Sequence, residues 1–179
     1  NDECLNYLID LNKRTNLTIE LGLQSMHDET LKMINRGHDL KNFDDCVKKL
    51  VKNNIKVVVH IINGLPGETK DMMIKTAQYV NSLNVWGIKI HMLHIIKNTK
   101  LAEIYEEKPF HILSKDEYID IVVNQLEYLK PTMIIHRLTG DPKKEDLIAP
   151  NWVLKKFVIL NDIDKEMVKR DTYQGNKIK

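Results

Sequence analysis

The run Ile55-Lys-Val-Val-Val-His-Ile-Ile62 passes directly into Asn63-Gly-Leu-Pro-Gly-Glu68, and this stretch decides the fold class. A nearly continuous β-branched run suits a parallel strand covered on both faces, whereas a half-exposed antiparallel strand would alternate apolar and polar residues. Glycine and proline then turn the chain sharply. Upstream, Phe43, Val47, Leu50 and Val51 recur at helical intervals, and downstream Met73, Ala77 and Val80 do the same. The strand is therefore flanked by helices on both sides in sequence.

Working outward, Leu5, Leu8, Ile9 and Leu11 predict a helix over 2–14, and residues 17–23 alternate as a strand does. Ser25 and Asp28 have the spacing of a capping box, which opens a short helix that Gly37 can end. Residues 85–96 and 133–138 read as two more strands. Helices are predicted over 101–106, from Ser114 through Leu129, and from Trp152 onward, with a polar loop over 139–150. Strand and helix alternate four times, so the reading is α/β, with a parallel sheet and right-handed crossovers, as in an α/β barrel or a piece of one. Function in that architecture collects at the carboxyl ends of the strands: Gln24 and Ser25, residues 63–68, residues 91–97 and residues 136–139.

Composition sets outer bounds. With 179 residues, 42% hydrophobic and 29% charged, the chain can build one core and is neither disordered nor fibrous. A formal charge of +2 gives no field that argues for nucleic acid or anionic lipid as the main partner. Two cysteines, Cys4 and Cys46, lack metal-site spacing, and their helical patterns place both as small buried or half-buried hydrophobes in a reducing cytoplasm. No apolar run is long enough for a membrane span, and no signal peptide opens the chain. The first residues, Asn-Asp-Glu-Cys, lack a methionine and already lie in a helical pattern, as if a segment preceded them.

Several residues carry chemistry. In the turn at 63–68, Gly64 and Gly67 let the backbone approach a ligand closely, although a tight βα turn that needs positive φ explains them equally well. Its spacing matches neither a phosphate-binding loop nor a dinucleotide fingerprint. His60, His91, His94 and His136 lie on or near strands. His91 and His94 are an odd number of residues apart, so a regular strand would aim them at opposite faces, which weighs against joint metal ligation. Arg36 lies near Gln24 and Ser25 and either grips a carboxylate with two parallel hydrogen bonds or rests solvated at a helix end. Lys89 alternates with His91 in an apolar strand, so both face one side. The lysines of residues 155–179 are interleaved with acids and form either a solvated helix face or an RNA-contacting patch.

Taken together, Glu20-Leu-Gly-Leu-Gln-Ser25, Ile34-Asn-Arg-Gly-His38, the turn at 63–68, Gly87-Ile-Lys-Ile-His-Met-Leu-His94, the His136-Arg137 pair and Leu147-Ile-Ala-Pro-Asn-Trp152 resemble the radical S-adenosylmethionine (radical SAM) superfamily. The likeness is closest to its YhcC-like branch, related to the radical domain of the Elongator catalytic subunit. The resemblance implies a partial TIM-type (β/α)6 barrel, a [4Fe-4S] cluster on three cysteines of a C-x-x-x-C-x-x-C loop, and S-adenosylmethionine reductively cleaved to a 5′-deoxyadenosyl radical. It implies that Gln24 and Ser25 end the strand passing the ribose and that Arg36 approaches the methionine carboxylate. It also implies that His60 faces the ribose, that the backbone of Ile62, Asn63, Gly64 and Leu65 brackets the adenine, and that Lys89, His91 and His94 line the substrate side.

No cysteine triplet occurs, so the resemblance further implies the carboxyl-terminal part of such an enzyme: residues 1–130 as the later half of the barrel, and 131–179 as the last strand and a family-specific tail. On that reading the chain alone holds no cluster, is inactive alone, and leaves sheet edges that pair with the other half of the barrel or with a second copy. The substrate is not legible; kinship with tRNA-modifying enzymes makes RNA a candidate. Two other readings stand beside it: a small metal-dependent α/β-barrel hydrolase using the strand-end histidines, and a non-catalytic RNA-binding module.

Overall fold

The computed structural model describes residues 2–178. Helix α1 (Asp2–Arg14) leads into strand β1 (Thr18–Gln24), followed by α2 (Asp28–Met33), α3 (Leu40–Lys52), β2 (Lys56–Asn63) and α4 (Lys70–Ser82). Then come β3 (Gly87–Met92), β4 (Ile95–Ile96), α5 (Lys100–Glu107), α6 (Lys115–Glu127), β5 (Ile134–Arg137), β6 (Leu147–Ala149) and α7 (Lys156–Lys169). Strands β1, β2, β3 and β5 form one sheet in that order, every pair parallel. Neighbours in sequence are neighbours in space, the arrangement of successive βα units in a partial barrel.

The two faces of the sheet differ because side chains alternate along a strand. Leu23, Val57, Val59, Ile61, Ile88, Ile90 and Met92 point toward the helices and are almost fully buried against Phe43, Val47 and Leu50 of α3, Ala77 and Val80 of α4, and Val122 and Leu126 of α6. Each such side chain contributes about 1.5–3 kcal/mol, so this face holds the fold together. The opposite, inner face carries Glu20, His60, Lys89 and His91, none fully buried. Val58, on the same face as His60, is as fully buried as Val57 and Val59, so the amino half of β2 is covered on both faces and the polar row enters at His60.

Helix starts follow their caps. Asp39, Thr69 and Thr99 each accept from a backbone N–H of the first turn, and Ser114 with Glu117 forms the full capping box expected. The box expected at Ser25 and Asp28 does not form. The Ser25 hydroxyl is engaged by Glu68, α2 begins at Asp28 with His27 as its cap, and Asp28 Oδ1 instead accepts from the Leu40 N–H at 2.9 Å. Helix α2 also ends at Met33, before the left-handed Asn35, rather than running to Gly37.

Two further expectations are corrected. The strand predicted over 85–96 breaks after Met92: β4 leaves the main sheet and pairs antiparallel with β6, inside the segment read as a polar loop. Cys4 and Cys46 are exposed, not buried: they line an open groove between α1 and α3, beside Leu5, Leu8 and Leu50. Among the described residues no helix is long and apolar enough to cross a membrane.

Candidate functional site

The carboxyl ends of β1 and β2 are fixed by buried polar pairs. Asn63 Nδ2 donates to Gln125 Oε1 and Gln125 Nε2 donates back to Asn63 Oδ1, both at 2.8 Å, while Gln125 Nε2 also donates to the Met73 carbonyl at 2.9 Å. This reciprocal pair ties the end of β2 to α4 and α6, and leaving either amide alone in the core would cost about 1–3 kcal/mol. Gly64 follows at φ +88°, where a Cβ would stand 3.1 Å from Leu113 Cδ1, so both backbone and space call for glycine. The Glu68 N–H closes the turn on the Leu65 carbonyl at 3.1 Å. The Glu68 carboxylate accepts from the Ser25 hydroxyl, which links this turn to the end of β1. Burial pushes the Glu68 carboxyl up, against the pull of its hydrogen bonds to Ser25 and Thr30.

At the end of β1 the register slips between Gly22 and Gln24, and Gln24 adopts φ +69°. Such a bulge re-aims the strand end. Arg36 reaches this strand from the segment after α2: its Nη2 donates to the Gly22 carbonyl at 2.6 Å, and its Nε is buried without a partner. Gly22 leaves room for this approach, since a Cβ there would lie 3.0 Å from Arg36 Nη2.

The inner face is a connected polar network. Lys89 Nζ donates to both Glu20 oxygens at 2.6 Å, and His60 Nε2 lies 2.9 Å from Glu20 Oε2. The hydrogen bond from Lys89 holds the Glu20 carboxyl below its usual range. The His60 and His91 rings are 5.5 Å apart. Burial, followed by the nearby His60, Arg137, His94 and Lys89, pushes the His91 imidazole down to about 4, and its Nε2 is buried without a partner. His94 is likewise pushed down by burial, and its ring lies under Gly140, whose Cβ would come within 2.7 Å of His94 Nε2. Beyond β5, Asp141 pairs with Lys156 at 2.9 Å and with Arg137 at 3.5 Å.

These positions refine the sequence reading. Lys89 and His91 do share one face. His94 lies past the end of β3, which stops at Met92, so its ring is placed by the following segment and packs under Gly140. Gln24 ends the edge strand β1, Arg36 lies against that strand, and His60 is on the inner face of β2. Ser25 and Asn63 are almost fully buried, with hydroxyl and amide engaged inside the protein, and Leu65 is buried against Leu93 and Ile95, with Ile62 packed alongside. Glu20 and Arg137 stand in the motifs that carry the resemblance, but neither was given a role in the site. The signal was the period of two in Thr18-Ile-Glu-Leu-Gly, which puts Glu20 opposite the apolar face.

Family models for the radical SAM superfamily and for its C-terminal domain match residues 1–80 and 85–169. The chain belongs to the radical SAM superfamily. It is 47% identical over 174 residues to the Bacillus subtilis protein YtqA, covering 97% of this chain and 54% of that one. To YhcC of Escherichia coli it is 32% identical over 147 residues, with 82% and 48% covered. A tRNA uridine(34) acetyltransferase of Methanocaldococcus infernus is 28% identical over 107 residues, with 58% and 20% covered. Among solved structures, an N-terminally truncated Elp3 of Methanocaldococcus infernus superposes with a TM-score of 0.74 at 22% identity, over 88% of this chain and 37% of that one, a likeness of fold. This radical SAM chain spans about half the length of the curated relatives it matches.

The superfamily implies a cluster and S-adenosylmethionine. Three thiolates are not available here: the chain has two cysteines, exposed on α1 and α3, and among the described residues no group of three or more His, Cys, Asp or Glu could hold a metal ion. The cluster does not fit these residues, and the strand-end histidines offer no metal centre for a hydrolase. S-adenosylmethionine fits better, because the buried, unpartnered Arg36 Nε–H at the end of β1 is a donor for a carboxylate.

Proposed function

We propose that the protein acts as a radical SAM enzyme and that these residues supply the later strands of its barrel, the walls that hold S-adenosylmethionine and the substrate. The observation that carries this reading is the pair of superfamily matches, falling on a parallel sheet whose inner face and strand ends are polar and tightly positioned. In the superfamily, a [4Fe-4S] cluster and S-adenosylmethionine together supply a 5′-deoxyadenosyl radical. The residues of this chain bind and orient. Arg36 Nε–H takes the methionine carboxylate, Gln24 and His60 face the ribose, and the backbone of Ile62, Asn63, Gly64 and Leu65 borders the adenine. Ser25 acts through Glu68, and Asn63 through Gln125, by holding that backbone in place. Lys89, His91 and His94 form the substrate side, with His91 kept neutral by burial.

RNA is the substrate class this reading favours. Its support is the alignment with a protein whose name specifies tRNA uridine(34). The cytoplasm suits this reading, since its reducing thiol systems keep cluster cysteines from pairing as disulfides. The test is electron paramagnetic resonance of the protein isolated anaerobically from its own cells and reduced with dithionite. A cluster signal that changes when S-adenosylmethionine is added supports the reading, and no cluster signal, or one indifferent to S-adenosylmethionine, contradicts it.

A further inference from the structure

We propose that Lys89 and Arg137, with the His91 imidazole beside them, form a binding site for one oxyanion on the inner face of the sheet, a phosphate group of the substrate. Assigning the oxyanion to a substrate rests on the function proposed above; the site itself rests on the geometry alone.

Lys89 and Arg137 are direct Cα partners on the adjacent strands β3 and β5. Like charges placed opposite one another in a ladder are destabilising, and an anion between them removes the repulsion. Their present counter-charges are uneven. Glu20 holds Lys89 with both oxygens, but Asp141 lies closer to Lys156 (2.9 Å) than to Arg137 (3.5 Å), and among the described residues the Arg137 guanidinium makes no hydrogen bond. Three cations, Lys89, Arg137 and Lys156, thus face two carboxylates, Glu20 and Asp141. Of the first pair the cation is the more buried: the Lys89 side chain is 20% exposed against 47% for Glu20. Glu20 can therefore turn toward solvent while the Lys89 stem stays packed, and Arg137 already has its guanidinium donors free for an incoming anion.

His91 completes the site. Its Nε2 is buried without a partner, which a native structure rarely tolerates without a use, and in the tautomer protonated there it donates to an oxygen held between the cations. The cations that depress its protonation, Lys89 and Arg137, are the ones an oxyanion would neutralise. A guanidinium fork, a point-charge ammonium and a neutral N–H donor together suit a tetrahedral phosphate.

The test is titration of the whole chain with inorganic phosphate, followed through the ring resonances of His91 and His94. A saturable shift with half-saturation near 1 mM, about −4 kcal/mol, is expected. Arg137→Gln should weaken binding about tenfold, as expected for losing a charge-assisted pair. Glu20→Gln should strengthen it by releasing Lys89, and Lys143→Gln, an exposed cation in the neighbouring loop, should change nothing. Opposite signs at Arg137 and Glu20 separate a site from a folding defect. The proposal is overturned by the absence of a saturable shift, by equal losses in Arg137→Gln and Lys143→Gln, or by S-adenosylmethionine displacing the phosphate, which would give the site to the cofactor carboxylate. Phosphate titration needs neither cluster nor reductant, so its failure is distinct from failure of the proposed activity.

Discussion

Glu20 on β1 reaches over the intervening strand β2 to Lys89 on β3, and both its carboxylate oxygens accept from the lysine Nζ at 2.6 Å. The pair spans three strands of the inner face and takes His60 of the middle strand into the same network. Since the Glu20 side chain is about half exposed, its attraction to Lys89 is screened, and Glu20→Gln should cost about 0.5–1 kcal/mol of stability in urea unfolding. A loss several times larger would show that Lys89 depends on Glu20 as a buried charge does.

His91 should make stability depend on acid. Its native pKa lies near 4, below the usual 6.5 of an unfolded chain, so between those values the unfolded state binds more protons than the native one. Stability therefore rises with pH through that window and falls as pH drops from about 6.5 toward 4, by on the order of 1–2 kcal/mol once partial exposure is allowed for. Glu68, pushed up by burial, contributes with the opposite sign, so the measurement is a difference. Denaturant unfolding at pH 7 and pH 5 should show a smaller acid loss in His91→Phe than in the wild type; equal losses would place the pH dependence elsewhere.

Gly140 and His94 should be energetically coupled. A methyl group at Gly140 would come within 2.7 Å of His94 Nε2, so Gly140→Ala should cost about 1–3 kcal/mol through overpacking. Adding His94→Ala should remove most of that penalty, giving a coupling above about 0.5 kcal/mol in a double-mutant cycle. Strict additivity would mean the ring moves away freely.

Among the described residues the outer edges of β1 and β5 have no neighbour in the sheet, and Ile134 at the β5 edge is exposed. Unpaired edges invite pairing. Sedimentation velocity of this chain should show association that grows with concentration, and a single monomeric boundary at every concentration would contradict that.

Much of the fold was legible because burial follows periodicity: the apolar faces of β2, α3, α4 and α6 repeat at two or at three and four residues, and a core can form only if those faces meet. The Ser114 and Glu117 cap was legible because its partners are local. What escaped was settled by contacts distant in sequence. Ser25 was drawn from its local cap by Glu68, 43 residues away. Glu20 met Lys89 across 69 residues, and β3 ended before His94 could take a place in its alternation. The exposed cysteines show the same limit: helical spacing says which residues share a stripe, but whether a position at its margin is covered depends on the neighbouring element.

Formation of 5′-deoxyadenosine tests the central claim most directly. The protein as it occurs in its own cells, isolated anaerobically and given dithionite and S-adenosylmethionine, should release 5′-deoxyadenosine, and Arg36→Gln should raise the S-adenosylmethionine concentration needed by about tenfold. The present chain, with its two cysteines, should take up no stoichiometric iron when treated with iron and sulfide under the same conditions. Absence of 5′-deoxyadenosine from the cluster-loaded native protein would contradict the account.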